Sequence, residues 1–424
     1  MVAAVLAVIV ASFVLDQQGG GAAPRRSAAT ATAAPASLTA ADVRRIARRV
    51  ERIRDLRFKR PVQPLFVGRE EAIRLQEQDG AQRYTAGRRA ADEEALKLLG
   101  LMQPQESLSR SLAAIEREQV LGFYDERSKR LVVVRDRRAN RPLLEITLAH
   151  ELTHALEDQW FGLHEGGTND DAAVARSALA EGSATVVMAE YAVRYFGISD
   201  ALAVFAAAST GDTKLPKYVE DSLLFPYEQG ADFVQTFRGG SGSWKALDNV
   251  IRFRPPATTE QLIHPEKYAI DERAVPVRSA DLGRVLGSGW RRTSSSTVGE
   301  IDLRELFKIV GGAPRDGAAA GWGGGRFELW QRAAAGGCAS PCVRRDVGVM
   351  ALAWDTTGDR LRAEKAFADS FPKGLDAHPL GGRSNARRWS SRGGVIAMSG
   401  AGLTTAIVFG ANARTVARVL PLVR

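Results

Sequence analysis

The chain has 424 residues, 45% of them hydrophobic and 25% charged, with a formal net charge of +9. At roughly 100–200 residues per domain, this is two or three domains of ordinary globular composition, enough to bury a sizeable core. The positive balance favours polyanions, but no nucleic-acid motif and no basic-aromatic stripe is present, so nucleic acid is not an expected partner.

Val2 to Val14 is an almost unbroken apolar run. Its roughly 13 residues suit the core of a signal peptide better than a membrane span, which needs about 20. Residues 1–18 are therefore read as a signal peptide or membrane anchor, although no Lys or Arg precedes the run. Residues 19–38, rich in Gly, Ala, Ser and Pro, read as a flexible linker. The expected location is extracellular or in the cell envelope.

Thr39-Ala-Ala-Asp42 is a helix start, and periodicity carries the helix to Leu56. The densest basic stretch, Arg44 to Arg60, reads either as a solvated helix face or as contact with an anionic surface. Arg69 to Leu75 and Ala91 to Leu101 are further helices. Gln119 to Tyr124 and Arg130 to Arg135 are β-rich runs joined by a turn, hence a hairpin. Leu143 to Phe161 and Asp171 to Phe196 are strongly helical. Asp200 to Ala208, Tyr227 to Phe237 (entered through Pro226), Ser243 to Val250 and Thr259 to Ile263 are shorter helical pieces. After about residue 275 the pattern turns to mixed α/β. Strands are expected at Arg326 to Trp330, Val347 to Trp354, Gly393 to Met398 and Leu403 to Phe409. Helices are expected at Glu300 to Val310, Arg360 to Phe371 and Ala411 to Leu420. The glycine run Gly321 to Gly325 reads as a loop and lacks the Lys-Ser/Thr ending of a phosphate loop. Cys338 and Cys342, the only cysteines, are too few for a four-ligand structural zinc. They read as a small disulfide-closed loop if the chain leaves the cytosol, or as two free thiols.

The chemistry concentrates in His150-Glu151-Leu152-Thr153-His154. Two His four apart share one helix face, so both imidazoles reach one Zn²⁺. Glu151, slightly off that face, is placed to act as general base on a water rather than as a ligand. The flanking Leu144, Ile146, Leu148 and Leu156 make the helix apolar, so its His and Glu are buried and need partners. A catalytic site needs a third protein ligand. The extended motif that adds a third His fails, because position 157 is Glu and position 160 is Trp. Glu181 on the next long helix is the candidate, with Glu190 the alternative. Asp158, one turn after His154, is either a partner orienting a ligand or a surface charge.

The motif followed by Glu181-Gly-Ser-Ala184 resembles the gluzincins, zincin metallopeptidases with a glutamate third ligand. Aminopeptidase N-like enzymes carry Asn-Glu-Gly-Phe-Ala on their second zinc helix, and the resemblance implies that Glu181 binds zinc. Phe225-Pro-Tyr-Glu-Gln-Gly-Ala231 is similar to their Pro-Tyr-Glu-Lys-Gly segment, whose Tyr donates to the oxyanion. That role falls on Tyr227. Their amine-binding Gly-x-Met-Glu-Asn stretch is absent, and Leu131 to Arg135 is the expected counterpart of the edge strand that carries it, so aminopeptidase specificity is not implied. The chain also resembles an uncharacterised group of exported bacterial proteins. They share His150-Glu-Leu-Thr-His-Ala-Leu156, Thr259-Glu-Gln-Leu-Ile-His264-Pro-Glu-Lys-Tyr268 and a Trp322-Gly-Gly segment. His264 is a candidate oxyanion donor or substrate contact, or else a loop hydrogen-bonder.

The expected fold is α+β. A mainly helical zincin-like catalytic domain with a small sheet spans 39–275, and a smaller mixed α/β domain of unknown role spans 276–424. The expected function is zinc-dependent hydrolysis of peptide bonds in a peptide or protein substrate. The alternative is a non-catalytic zinc-binding or envelope-interaction protein using that fold as a scaffold.

Overall fold

In the computed structural model, residues 38–119, 121–135, 140–163, 169–208, 214–239, 242–278, 281–332, 338–381, 386–392 and 394–423 are described. The expected signal segment 1–18 and nearly all of the linker lie outside them, as does His164.

The first helix among the described residues, α1 (Ala40–Arg54), starts at a capping box in which Thr39 and Asp42 bond reciprocally. Strand β1 (Pro64–Val67) and helices α2 (Arg69–Arg83), α3 (Ala86–Leu98) and α4 (Leu108–Gln119) follow. Next come β2 (Gly122–Asp125), β3 (Arg130–Val134), α5 (Arg141–Phe161), α6 (Asp170–Phe196), α7 (Ile198–Ala208), α8 (Lys217–Arg238) and α9 (Lys245–Phe253). Short helices α10 (Thr259–Ile263), α11 (Pro265–Ala269) and α12 (Gly283–Leu286) lead to β4 (Trp290–Thr297) and α13 (Glu300–Ile309). The chain ends with α14 (Asp316–Ala319), β5 (Trp322–Arg332), β6 (Asp346–Trp354), α15 (Thr357–Gly374), β7 (His378–Pro379), β8 (Arg387–Ser391), β9 (Gly394–Ala401), β10 (Thr404–Gly410) and α16 (Ala413–Val419). The architecture is α+β: a helical region with a three-stranded sheet, then a sheet-rich C-terminal part.

Two large cores organise the chain. The first joins Ile46 and Val50 of α1, Leu148, Leu152 and Leu156 of α5, Val187 of α6 and Phe233 of α8. The second lies on one face of a seven-stranded antiparallel sheet of order β4-β5-β6-β10-β9-β8-β7. There Met350, Leu352 and Trp354 of β6 meet Phe307 of α13 and Phe367 and Phe371 of α15. The alternate residues Val347, Val349 and Ala351 face α16 on the other side. Burial on both faces is why β6 reads as a continuous apolar run. Ala95, Leu98, Leu99 and Leu101, in and after α3, also pack into this second core.

Several elements differ from expectation. Helix α8 begins ten residues before Tyr227, with Pro226 inside it rather than at its entrance. Tertiary contact with α6 sustains the helix through a residue that lacks the amide for its own turn. The run after Gly321 is strand, not loop. A Cβ on Gly324 would stand 2.3 Å from the Val275 carbonyl oxygen and one on Gly325 2.5 Å from that of Val298, so these glycines admit neighbouring backbone. Leu131 to Arg135 was expected at a sheet edge. The order β1-β3-β2 makes β3 the central strand, and β2 takes the edge beside α5.

The basic run of α1 is partly consumed inside the fold. Arg45 and Arg49 pair with Glu145 of α5 at 2.8 and 2.7 Å. Arg54, fully buried, bonds Glu157 at 2.5 Å and Asp248 at 2.6 Å, and its guanidinium lies 4.4 Å from the Trp244 ring centroid. These pairs fix α1 across the helix that carries the histidine motif.

Candidate metal centre

Helix α5 is capped at both ends by local chemistry. Asn140 accepts from the Leu143 amide, and Gly162 in the left-handed region (φ 70°) donates back to the Asp158 carbonyl. Its apolar stripe buries Leu148, Leu152 and Leu156 in the first core, which turns His150 and His154 inward. Both are buried, at 7% and 8% exposure.

Opposite them stands Glu181 of α6. His150 Nε2 lies 3.0 Å from Glu181 Oε2, His154 Nε2 lies 3.4 Å from the same oxygen, and the two Nε2 atoms are 3.0 Å apart. A tetrahedral zinc with bonds of roughly 2.0–2.1 Å sets its donors about 3.3 Å apart, so this triangle fits one ion. The donor set, two imidazoles and a carboxylate, is one that could hold a zinc ion. Burial works against charge on His154, but the Glu181 carboxylate beside it outweighs burial and holds its pKa up at about 9. Burial likewise opposes charge on Glu181, and the two imidazoles overcome it, holding its carboxyl well below the usual range. Both His Nδ1 atoms are buried and unpartnered among the described residues.

Glu151 is half-buried beside the triangle but not part of it. The backbone N–H of Tyr124, on edge strand β2, donates to its Oε2 at 2.8 Å. Burial raises its carboxyl above the usual value, against the pull of His150 and His154. Tyr227 of α8 stacks on His150, ring centroids 6.0 Å apart and planes 30° apart. Burial, then the charges of Glu181 and Glu151, push its phenol well above 10, so it stays a donor.

Glycine brings Glu181 and Tyr227 together. A Cβ on Gly182 would sit 2.1 Å from the Gly230 carbonyl carbon, and one on Gly230 would sit 1.9 Å from the Ala178 carbonyl oxygen. Helices α6 and α8 therefore cross with their backbones in contact, one residue from Glu181 and less than a turn from Tyr227. Ser183 next donates to Glu157, tying α6 to α5.

The other candidates are engaged elsewhere. Glu190 pairs with Arg238 at 2.5 Å. Asp158 accepts from Tyr124 Oη at 2.6 Å, from Lys129 and from the Leu163 amide, so it holds β2 rather than a histidine. His264 does not join the cluster. Its Nε2 is 3.0 Å from Glu300 Oε1 of α13 and its Nδ1 3.3 Å from Glu266. The hydrogen bond to Glu300 raises the His264 pKa against burial. Its contribution to stability is thus complete below the unfolded value of about 6.5 and is lost as pH rises through the higher folded value. His264→Ala should therefore lower the melting temperature at pH 5.5 more than at pH 9 and leave metal content unchanged; melting curves at both pH values with elemental analysis test this. A second acidic group, Glu260, Glu272 and Asp355, is filled by the Lys267 ammonium at 2.6, 2.7 and 2.6 Å and is a structural joint. Sequence reasoning missed Tyr124, whose only signal was that the hairpin directly precedes the motif helix.

A cleft of about 660 Å³ opens beside Glu181, lined among others by Glu126, Leu163, Arg176 and Ile251. A family described as Domain of unknown function (DUF8575) matches residues 284–420, which hold the seven-stranded sheet from β4 to β10. No curated protein and no solved structure matches the chain.

Proposed function

We propose that the chain is a zinc-dependent peptidase, exported or held at the cell envelope. The observation that carries this is the convergence of His150 Nε2, His154 Nε2 and Glu181 Oε2 with a separately held carboxylate, Glu151, beside them. A zinc ion held by His150, His154 and Glu181 would supply Lewis acidity. Glu151 would act as general base and pass the proton on to the leaving amine. Tyr227 donates to the oxyanion that develops on the scissile carbonyl. Tyr124 keeps one Glu151 oxygen occupied, leaving the other for the proton. The disulfide between Cys338 and Cys342 suits an oxidising compartment. Among the described residues no helix is long and apolar enough to cross a membrane.

Elemental analysis of purified protein should find about one zinc per chain, as a mononuclear site requires. Glu181→Ala should weaken zinc retention against a chelator by well over tenfold, whereas Glu190→Ala should not change it. Equal retention in wild type and Glu181→Ala would remove Glu181 from the ligand set.

A further inference from the structure

Segments far apart in sequence meet at the C-terminal end of α5. Trp160 Nε1 donates to the Arg57 carbonyl at 2.7 Å, and the Lys59 ammonium lies 4.4 Å from the Trp160 ring centroid. The Gln159 side-chain amide clasps the Arg60 main chain, accepting from its N–H and donating to its carbonyl, both at 3.0 Å. On the other side, Arg252 at the end of α9 lies 5.4 Å from the Phe161 ring centroid and 5.9 Å from that of Phe253. Arg254 stacks at 4.4 Å on Tyr268, whose hydroxyl bonds the Arg254 carbonyl. Phe253, next to Arg254, and Ile270, two residues after Tyr268, are each 73% exposed, the highest values among the described large hydrophobics. The carboxylates here are mostly spent. Glu51 accepts from the Phe58 amide and lies 3.5 Å from Arg57, Asp248 is turned to buried Arg54, and Asp271 pairs with Arg273. Asp55 remains exposed, as does Glu266 one turn before Ile270.

We propose that this surface, with Arg57, Lys59, Arg60, Arg252 and Arg254 around a projecting Phe253, docks on an anionic lipid membrane. The cations match the charge of acidic headgroups, and the net charge of +9 adds long-range attraction. Phe253 and Ile270 decide between partners. A soluble polyanion offers an exposed phenyl and an exposed isoleucine nothing to bury in, whereas the headgroup–acyl boundary does. The cleft beside Glu181 is lined by Gly162, Leu163, Ile251 and Pro255, the chain neighbours of Phe161, Arg252 and Arg254. Docking therefore holds this part of the cleft lining close to the lipid surface. If the peptidase reading stands, its substrates are polypeptide segments at a membrane.

Co-sedimentation of the full chain with vesicles tests the docking alone, without activity or metal. Wild type should bind phosphatidylglycerol-containing vesicles more tightly than pure phosphatidylcholine, on which the apolar segment 1–18 alone would hold it. Arg57→Glu/Lys59→Glu/Arg60→Glu should lower partitioning on the order of a hundredfold or more. Phe253→Ser should lower it about tenfold or more, with melting temperature and zinc content unchanged. Partitioning unaffected in both variants would overturn the proposal, placing any attachment elsewhere in the chain. So would an indifferent Phe253→Ser combined with charge-dependent retention on soluble polyglutamate, which would mark a general polyanion surface. Vesicle binding without peptidase activity would leave this proposal standing and count against the enzyme.

Discussion

Glu151→Gln is expected to keep one zinc per chain and to lose peptide hydrolysis by roughly 10²–10⁴-fold, the usual contribution of a general base. The substitution is nearly isosteric, and a glutamine carbonyl oxygen can still accept from the Tyr124 N–H that now holds Glu151 Oε2 at 2.8 Å. The side chain should therefore stay in place, and what disappears is the capacity to carry a proton. The three donors His150, His154 and Glu181 are untouched, so zinc stoichiometry and chelator resistance should match wild type. The measurement pairs elemental analysis with digestion of a peptide library at saturating zinc. Hydrolysis at wild-type rates in Glu151→Gln would reject Glu151 as the base. Zinc retained by both proteins with hydrolysis by neither would favour a scaffold over an enzyme.

What could be read in the sequence was what depends on spacing along one helix. The i, i+4 histidines, the apolar flanks of α5 and the helical span around Glu181 are local patterns, and local geometry fixes which face each side chain takes. Four of the seven strands of the second sheet were legible too, β6, β9 and β10 because they are apolar runs between turns, whereas the polar β4, β7 and β8 were not expected. What the sequence hid depends on chain segments meeting. Nothing in Leu131-Val-Val-Val-Arg135 says whether it is central or edge. Pairing with β1, parallel and distant in sequence, makes it central and moves the edge to β2. Gly324 and Gly325 match a loop as well as a strand until Val275 and Val298 are seen against them. The absence of a basic-aromatic stripe was true of the linear sequence. Arg57, Trp160 and Phe253 form a patch only because α1, α5 and α9 end at one place. Of the two readings of His264, substrate contact or loop hydrogen-bonder, Glu300 and Glu266 beside its two nitrogens favour the second.

Replacing Gly182 or Gly230 by alanine should be the most damaging single-methyl change available near the site. In an ordinary helix interior Gly→Ala stabilises by about 1 kcal/mol. Here the added carbon would stand 2.1 Å or 1.9 Å from main-chain atoms of the facing helix, which cannot swing aside as a flexible side chain would. The helices must separate, and overpacking of this kind costs about 3 kcal/mol or more. That corresponds to a fall in melting temperature of roughly 6–12 °C if a cooperative unit of about 150–250 residues responds. Gly87→Ala in α3, where an added Cβ meets nothing within 4 Å, is the control and should be neutral or slightly stabilising. The crossing also sets the distance between Glu181 and Tyr227. Well below the melting temperature, where the variants remain folded, zinc should be lost to a chelator faster and peptide turnover should fall further than zinc occupancy does. Wild-type melting in both variants would show that the backbones are not in contact as described. Reduced stability with zinc binding and turnover intact would separate the helix crossing from the site, and would mean that Glu181 is held by Ser183, Glu157 and Arg54 instead.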